Sequence, residues 1–207
     1  MTPHPSPTIR RATAEDARRV AALIGEAFQP LTVARWLVPD PGRRADILPA
    51  NFHIFVDHAL THGEVHVSGD LAAAAVWFPR DGGPLPEPVA YTQRVAAACG
   101  ENTERFFHLD DLFDAHHPAE PHHHLAFLAV RPDRQRQGLG SMLLAHHHTR
   151  LDTAGVAAYL EATSEAARDL FMRHGYQARE PFHLPNGTPM WPMWRPPARV
   201  RQQKGES

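Results

Sequence analysis

With 207 residues, a formal net charge of −2 and a sequence pI near 6.8, the chain is long enough for one well-buried domain and lacks the basic field of a dedicated nucleic-acid binder. Its single cysteine, Cys99, excludes an internal disulfide framework and a cysteine-rich zinc site; set beside Val95, Ala96, Ala97 and Ala98, it reads as a buried small hydrophobe rather than a nucleophile. The apolar run Leu71 to Phe78 is far short of the ~20 residues that span a bilayer, and MTPHPSPT has no apolar signal core. The expectation is a cytoplasmic protein, monomer or homodimer, that acts on a small molecule and engages neither membrane nor nucleic acid.

Residues 1–7, rich in proline, and residues 198–207 read as disordered tails around a single domain at 8–197. Ile9 to Ala12 suits a first strand, and Thr13 with Asp16 forms an acidic capping box for a helix carrying Val20, Leu23, Ile24 and Phe28, which Gln29-Pro30 ends. Trp36 to Val38 is a short element before the turn Pro39-Asp40-Pro41-Gly42, and apolar positions from Ile47 to Leu60 recur at mostly helical spacing. Glu64 to Val67 and Leu71 to Pro79 flank Ser68-Gly69-Asp70 as a hairpin that Asp81-Gly82-Gly83-Pro84 closes. Helices are expected at Pro86–Ala98 and Thr103–His116, a strand at His124–Val130, a helix from Gly138 to about Thr153 and a strand at Ala157–Glu161. A helix Glu165–His174 stops at Gly175, and Tyr176–Leu184 with Met190–Arg195 make a terminal hairpin around Pro185-Asn186-Gly187-Thr188-Pro189.

Within this order the segment Leu125 to Leu144, LAFLAVRPDRQRQGLGSMLL, carries the strongest functional signal. An apolar strand breaks at Pro132-Asp133, and Gly138 and Gly140 open an amphipathic helix. Helix-start N–H groups lack partners within the helix, and glycine lets a phosphate approach them closely. The stretch has neither the G-x-G-x-x-G order of a dinucleotide fold nor the Gly-Lys-Ser/Thr ending of a P-loop. Val130-x-Pro132 followed by Gln135-x-x-Gly138-x-Gly140 resembles the coenzyme A loop of the GNAT superfamily of N-acetyltransferases. The stretch Asp114 to Ser141, the later Ala157 to Ser164, the segment Leu170 to Tyr176 and the closing hairpin are similar to puromycin N-acetyltransferase-like members of that superfamily. The resemblance implies an α/β (α+β) fold: one GNAT-type domain whose central mixed, twisted sheet is flanked by helices, splays between its central strands and ends in a C-terminal β-hairpin.

It also implies acetyl-CoA as cosubstrate and a primary amine on a small, antibiotic-like or aminonucleoside compound as acceptor, hence an acetyl-CoA-dependent acyltransferase with a part in antibiotic resistance. Backbone groups of Leu128, Ala129 and Val130 would meet the pantetheine arm, and Gln135, Arg136, Gln137, Gly138, Leu139, Gly140 and Ser141 would cradle the diphosphate. Arg131, Arg134 and Arg136 read either as phosphate contacts or as solvated loop residues.

Glu161, at the end of its strand, coincides with the glutamate of the puromycin-acetyltransferase-like pattern and reads as a general base or as a structural acceptor for loop backbone. His124, on the central strand, is a second candidate, because imidazoles as a class titrate near neutrality. Phe171 stands where the family carries the tyrosine that protonates the departing thiolate, so it can contact the cofactor but has no proton to give. The alternative is therefore a catalytically inactive acyl-CoA-binding module of the same fold. No metal is assigned. His116-His117, His122 to His124 and His146 to His148 approach metal-type clustering, with His122 and His124 on one strand face, but no H-E-x-x-H or cysteine accompanies them. Trp36, Phe52, Phe55, Trp77 and Phe78 read as core or as the wall of an apolar acceptor pocket.

Overall fold

The computed structural model describes residues 8–81 and 85–198. The tail expected at 1–7, nearly all of the one expected at 198–207, and Gly82-Gly83-Pro84 at the close of the first hairpin lie outside the described residues. Strand β1 (Ile9–Arg11) leads through a 3₁₀ turn into helix α1 (Ala17–Phe28), followed by α2 (Thr32–Leu37) and α3 (Pro41–His62). The capping box at Thr13 forms as expected: the Asp16 carboxylate accepts the Thr13 N–H at 2.9 Å and also takes a two-pronged hydrogen bond from Arg10, which holds it well below the usual carboxylate range. Pro39 to Gly42 is less a free turn than a helix start. Asp40 caps α3 by accepting the Gly42 N–H at 2.8 Å, and Pro41 occupies the first helical position, where no amide is needed.

The hairpin β2 (Glu64–Ser68) and β3 (Ala73–Arg80) precedes α4 (Tyr91–Cys99) and α5 (Thr103–His116). The expected helix at Pro86–Ala98 therefore starts late. Pro86 and Pro88 disfavour a helical conformation in the residues before them, and Ala90 adopts φ +52°, so regular hydrogen bonding begins only at Tyr91. Strand β4 (His122–Val130), α6 (Leu139–Ala154), β5 (Ala157–Ala162) and α7 (Glu165–Arg173) follow, and β6 (Gln177–Ala178), β7 (Phe182–His183) and β8 (Pro189–Arg195) complete the chain. The expected strand Tyr176–Leu184 is two short pieces, both paired with β8 and separated by Arg179-Glu180-Pro181, where proline cannot donate to a ladder. Ala198 docks its N–H on Asp152 at 2.8 Å, and that carboxylate also holds both guanidinium nitrogens of Arg195.

The strands line up as β1-β2-β3-β4-β5-β8-β6, antiparallel except for β4 and β5. Alternation along β3 divides the core. Ala74, Val76 and Phe78 join Val20, Ile24 and Leu48 under α1 and α3, while Ala73, Ala75 and Trp77 join Leu143, Leu144 and Leu160 under α6. Burying each of the larger of these side chains, the valines, leucines, isoleucine and phenylalanine, is worth about 1.5–3 kcal/mol, which makes the two layers the main source of cohesion. Helices α1 and α3 cross so closely that a Cβ on Gly25 would lie 2.6 Å from Pro49 Cγ.

One departure from regular pairing makes the site. Strands β4 and β5 pair only at His122 to His124, and beyond that point they diverge, β5 continuing on β8 and β4 on β3. A register shift between Val76 and Trp77 leaves Ala126 as an extra residue on β4 and bends that strand away at the divergence. Leu125–Val130 is consequently not the fully buried run its composition suggests. Leu125 and Ala129 are buried, but Ala126, Phe127, Leu128 and Val130 are only half-buried because they face the opening.

Candidate active site

The opening leads into a cavity of about 1160 Å³ that runs from the start of α6 to the wall formed by α1, α3 and α5. At one end Gly138 caps α6 with φ +84°, a conformation that glycine adopts without strain. The first helical hydrogen bond is Met142 N–H to Gly138 O at 2.9 Å, so the amides of Leu139, Gly140 and Ser141 have no partner within the helix. A Cβ on Gly138 would meet no atom within 4 Å, and Gly138 through Ser141 all line the cavity. At Gly140, by contrast, a Cβ would sit 3.6 Å from Leu128 Cδ2 and 3.7 Å from Val130 Cγ2, because the helix start presses against the end of β4. Gln135 ties the loop to that strand by donating to Val130 O at 3.1 Å.

Of the residues expected to hold a cofactor, Leu128, Val130, Gln135, Arg136, Gly138, Leu139, Gly140, Ser141 and Phe171 line the cavity. Ala129 and Gln137 do not. Ala129 packs its methyl group into the core, and Gln137 bonds Arg134 Nε and the Asp133 carbonyl. The loop arginines separate in the same way. Arg131 is held by Asp133 and Arg134 by Asp70 at 2.9 Å, whereas Arg136, at φ +60° on the cavity rim, makes no ion pair among the described residues. The side chain of Phe171 is buried, edge-on to Tyr176 at 5.7 Å, and the Tyr176 hydroxyl is engaged by His148 Nε2 at 3.0 Å.

At the centre of the cavity the two residues expected to carry catalysis meet. His124 Nε2 lies 2.9 Å from Glu161 Oε2, and the Glu161 side chain is 5% exposed. Both sit where β4 and β5 part, one on each strand. His117, just past the end of α5, joins them with Nδ1 3.9 Å from Glu161 Oε1, an oxygen that is buried without a hydrogen-bond partner. Burial, with His124, Arg80 and His122 adding to it, pushes the His117 imidazole down to about 2. His122, on the same strand face as His124, contacts His117 through Nε2 at 3.1 Å and lies 2.7 Å from Glu120 O through Nδ1. Burial pushes His122 down to about 4, so both rings are neutral near pH 7. His117 was visible in the sequence only as half of a histidine pair, because its approach to Glu161 depends on where α5 ends relative to β5.

The far end of the cavity is aromatic. Phe52 and Phe127 meet edge-on at 5.0 Å, and Phe55 contacts Phe127 and Tyr91, both at 5.8 Å. Phe52, Phe55 and Phe78 line the cavity, as an acceptor wall requires, whereas Trp77 packs under α6 and Trp36 belongs to a separate surface recess. Among these rings the Tyr91 hydroxyl donates to Asp110 Oδ2 at 2.5 Å. Burial raises the Asp110 carboxyl to about 6, opposed by the Tyr91 hydrogen bond and reinforced by Asp114 and Asp111. Cys99 is buried as expected. Its thiol is pushed up to about 12 by burial and by Asp110, and Asn51 Oδ1 is 3.7 Å away.

Residues 92–178 match the family model described as an acetyltransferase (GNAT) domain. Among solved structures, the chain is similar to one from Corynebacterium glutamicum described as histone acetyltransferase HPA2 and related acetyltransferase. Identity is 28%, with 95% of this chain and 99% of that one covered and a TM-score of 0.71. A Drosophila melanogaster polyamine N-acetyltransferase aligns at 18% identity over 91% of this chain and 98% of its own, with a TM-score of 0.65. A mosquito protein described as arylalkylamine N-acetyltransferase like 5b aligns at 15% over 92% of this chain and 100% of its own, with a TM-score of 0.63. The architecture is thus the GNAT fold, and residues 92–178 are similar to the acetyltransferase domain of that name.

Proposed function

We propose that this protein transfers an acetyl group from acetyl-CoA to the primary amine of a small molecule. The observation that carries the reading is the meeting, in one cavity, of an open helix start at Gly138 to Ser141, an unpaired strand edge at Leu125 to Val130 and a buried Glu161–His124 pair. The cosubstrate would supply the acetyl group as a thioester. The amides of Leu139, Gly140 and Ser141, with Arg136, bind its diphosphate, and the free edge of β4 offers hydrogen bonds to the amides of the pantetheine arm. Glu161 holds the acceptor nitrogen beside the divergence of the strands. An amine with pKa ~10 arrives mostly protonated, and the Glu161–His124 pair draws its proton off toward the cavity.

The acceptor's body lies among Phe52, Phe55 and Phe127, which suits the apolar or aromatic part of an aminonucleoside or antibiotic-like amine and accords with the puromycin-acetyltransferase-like motifs. The reaction belongs in the cytoplasm, where acetyl-CoA is available. Among the described residues no helix is long and apolar enough to cross a membrane.

Phe171 favours a second reading, an acyl-CoA-binding module without turnover, since it has no proton for a leaving thiolate and the Tyr176 hydroxyl is already engaged by His148. A thiol-release assay over a panel of primary amines, run beside calorimetric titration with acetyl-CoA, separates the two. Turnover with any amine supports the transferase, and tight binding with none supports the module. Binding of neither kind removes both. Gly138→Asp should abolish acetyl-CoA binding without unfolding the chain, because its carboxylate would enter the cavity that the helix start lines. Unchanged binding by that variant would dismiss the loop.

A further inference from the structure

We propose that His117, His124 and Glu161 form a binding site for a divalent transition-metal ion, zinc foremost, at the centre of the cavity. The inference concerns the place assigned above to the acceptor nitrogen, but it rests on donor geometry and not on turnover. One donor atom from each of the three residues lies within 4.8 Å of the other two. Two ligands on one zinc at about 2.1 Å are roughly 3.0–3.4 Å apart. The pairs here, 2.9 Å for His124 Nε2 with Glu161 Oε2 and 3.9 Å for His117 Nδ1 with Glu161 Oε1, bracket that spacing.

The hydrogen-bond polarity around His117 makes the donors converge. Glu120 O can only accept, so His122 carries a proton on Nδ1, and the tautomer with that single proton turns an Nε2 lone pair toward His117. His117 Nε2 therefore supplies the proton across the 3.1 Å contact, which leaves the His117 Nδ1 lone pair facing Glu161 Oε1. Two acceptors then oppose one another in a buried place, and Oε1 has no hydrogen-bond partner, the nearby Tyr159 hydroxyl being directed to His116 O at 3.3 Å. A cation between them removes that repulsion. Two imidazoles and a carboxylate, with remaining positions open to a cavity, are the donor set of a transition-metal centre. His122 would act as the outer partner that fixes the ring of a ligand. A metal on His124 Nε2 displaces the proton that nitrogen shares with Glu161, and the ring can carry it on Nδ1 instead. Arg80 is the nearby positive charge that the donor set must outweigh.

A second group, Glu64, His66 and His147, lies under α6 and meets the same distance criterion. It is the poorer site. The Arg150 guanidinium grips Glu64 through both oxygens, and His123 Nδ1 already takes His147 Nε2 at 3.1 Å.

The test is to strip the full chain with a chelator and titrate it with Zn²⁺ by calorimetry and with Co²⁺ by visible absorption, whose d–d bands report the coordination geometry. The expected result is one equivalent bound, weakened ~10-fold or more by His117→Ala, by His124→Ala and by Glu161→Gln, and unchanged by His66→Gln and His147→Gln. The thermal melt of each variant identifies any that fails to fold, and Glu161→Gln, nearly isosteric, is the decisive one. No binding overturns the proposal. So does binding lost in the His66 or His147 variant and kept in the pocket variants, or binding that survives every substitution. Zinc binding without acetyl transfer to any amine would refute the transferase reading alone, and transfer by a chain that takes up no zinc would refute this one alone.

Discussion

His122, His123 and His124 are consecutive on β4, and alternation sends them into two different environments. His124 lines the cavity and His122 is buried beside it on the same strand face, both in contact with His117; His123 faces α6 and contacts His147. On the α6 side His147 stacks on Trp77 at 4.1 Å, and His66 Nδ1, His147 Nδ1 and Trp77 Nε1 are buried without partners. On the cavity side Glu161 Oε1 and His58 Nε2 lack partners, and both residues border space that a ligand can enter. Depressed titration does not separate the two sides: burial brings His66 to about 4 just as it brings His122 to about 4. What separates them is where the unmet hydrogen-bonding capacity points. Toward a cavity it is an invitation to a ligand. Under a helix it is a cost the packing has to cover, of ~1–3 kcal/mol for each unmet group.

The sharpest way to test that contrast is to remove charge on the cavity side alone. Glu161→Gln should lower kcat by ~10²-fold or more near neutral pH, with part of the loss regained at higher pH as free amine accumulates. Its melting temperature should hold or rise, because a carboxamide N–H can donate to the His117 Nδ1 lone pair that the carboxylate cannot satisfy. An unaltered pH–rate profile would make Glu161 structural and give both sides of β4 the same role.

Much of the cavity side was legible in the sequence because its signals are local. Gly138 and Gly140 announce a helix start with free amides, and Glu161 and His124 lie on strands that the apolar pattern marks out, Glu161 being singled out by the family resemblance. His117 escaped because it reaches Glu161 only through the packing of α5 against the end of β5, a contact across 44 positions of chain. The half-exposure of Phe127 and Leu128 escaped for a similar reason. An apolar run reads as buried whether the neighbouring strand stays or splays. The split of the closing hairpin at Pro181 and the late start of α4 after Pro86 and Pro88 were missed although their cause is local, because the reading of 86–98 as one helix and 176–184 as one strand passed over prolines that break regular pairing.

Acid should expose the cost on both sides together. His66, His122, His147 and His148 are buried, and burial depresses each, His148 to about 3, from an unfolded value near 6.5. As pH falls below about 6.5 the unfolded chain takes up protons that the folded one refuses, so the stability these groups contribute is complete above that value and is lost toward their folded values. Each group then costs roughly 1.4 kcal/mol per pH unit. Four together approach the whole ~5–15 kcal/mol that holds a domain folded. Thermal melts should therefore fall by ~10 °C or more between about pH 7.5 and about pH 5.5. A flat profile over that interval would mean that the rings are already protonated or that water reaches them in the fold.

The smallest expected effect isolates the α6 side. His147→Phe keeps a ring against Trp77 and removes both ring nitrogens, including the Nδ1 that has no partner, at the expense of leaving His123 Nδ1 without its 3.1 Å contact. One loss offsets the other, so stability near neutral pH should change by no more than ~1 kcal/mol. One protonation site has gone from the unfolded chain, and the acid limb of the stability profile should shallow by about one proton. Acetyl transfer, if Glu161→Gln has located it in the cavity, should be untouched, since His147 lies on the opposite face of β4 from Glu161. A variant that loses activity while keeping its melting temperature would show that the helix side of the strand acts on the cavity, and that the alternation along β4 does not divide the molecule's histidines by role.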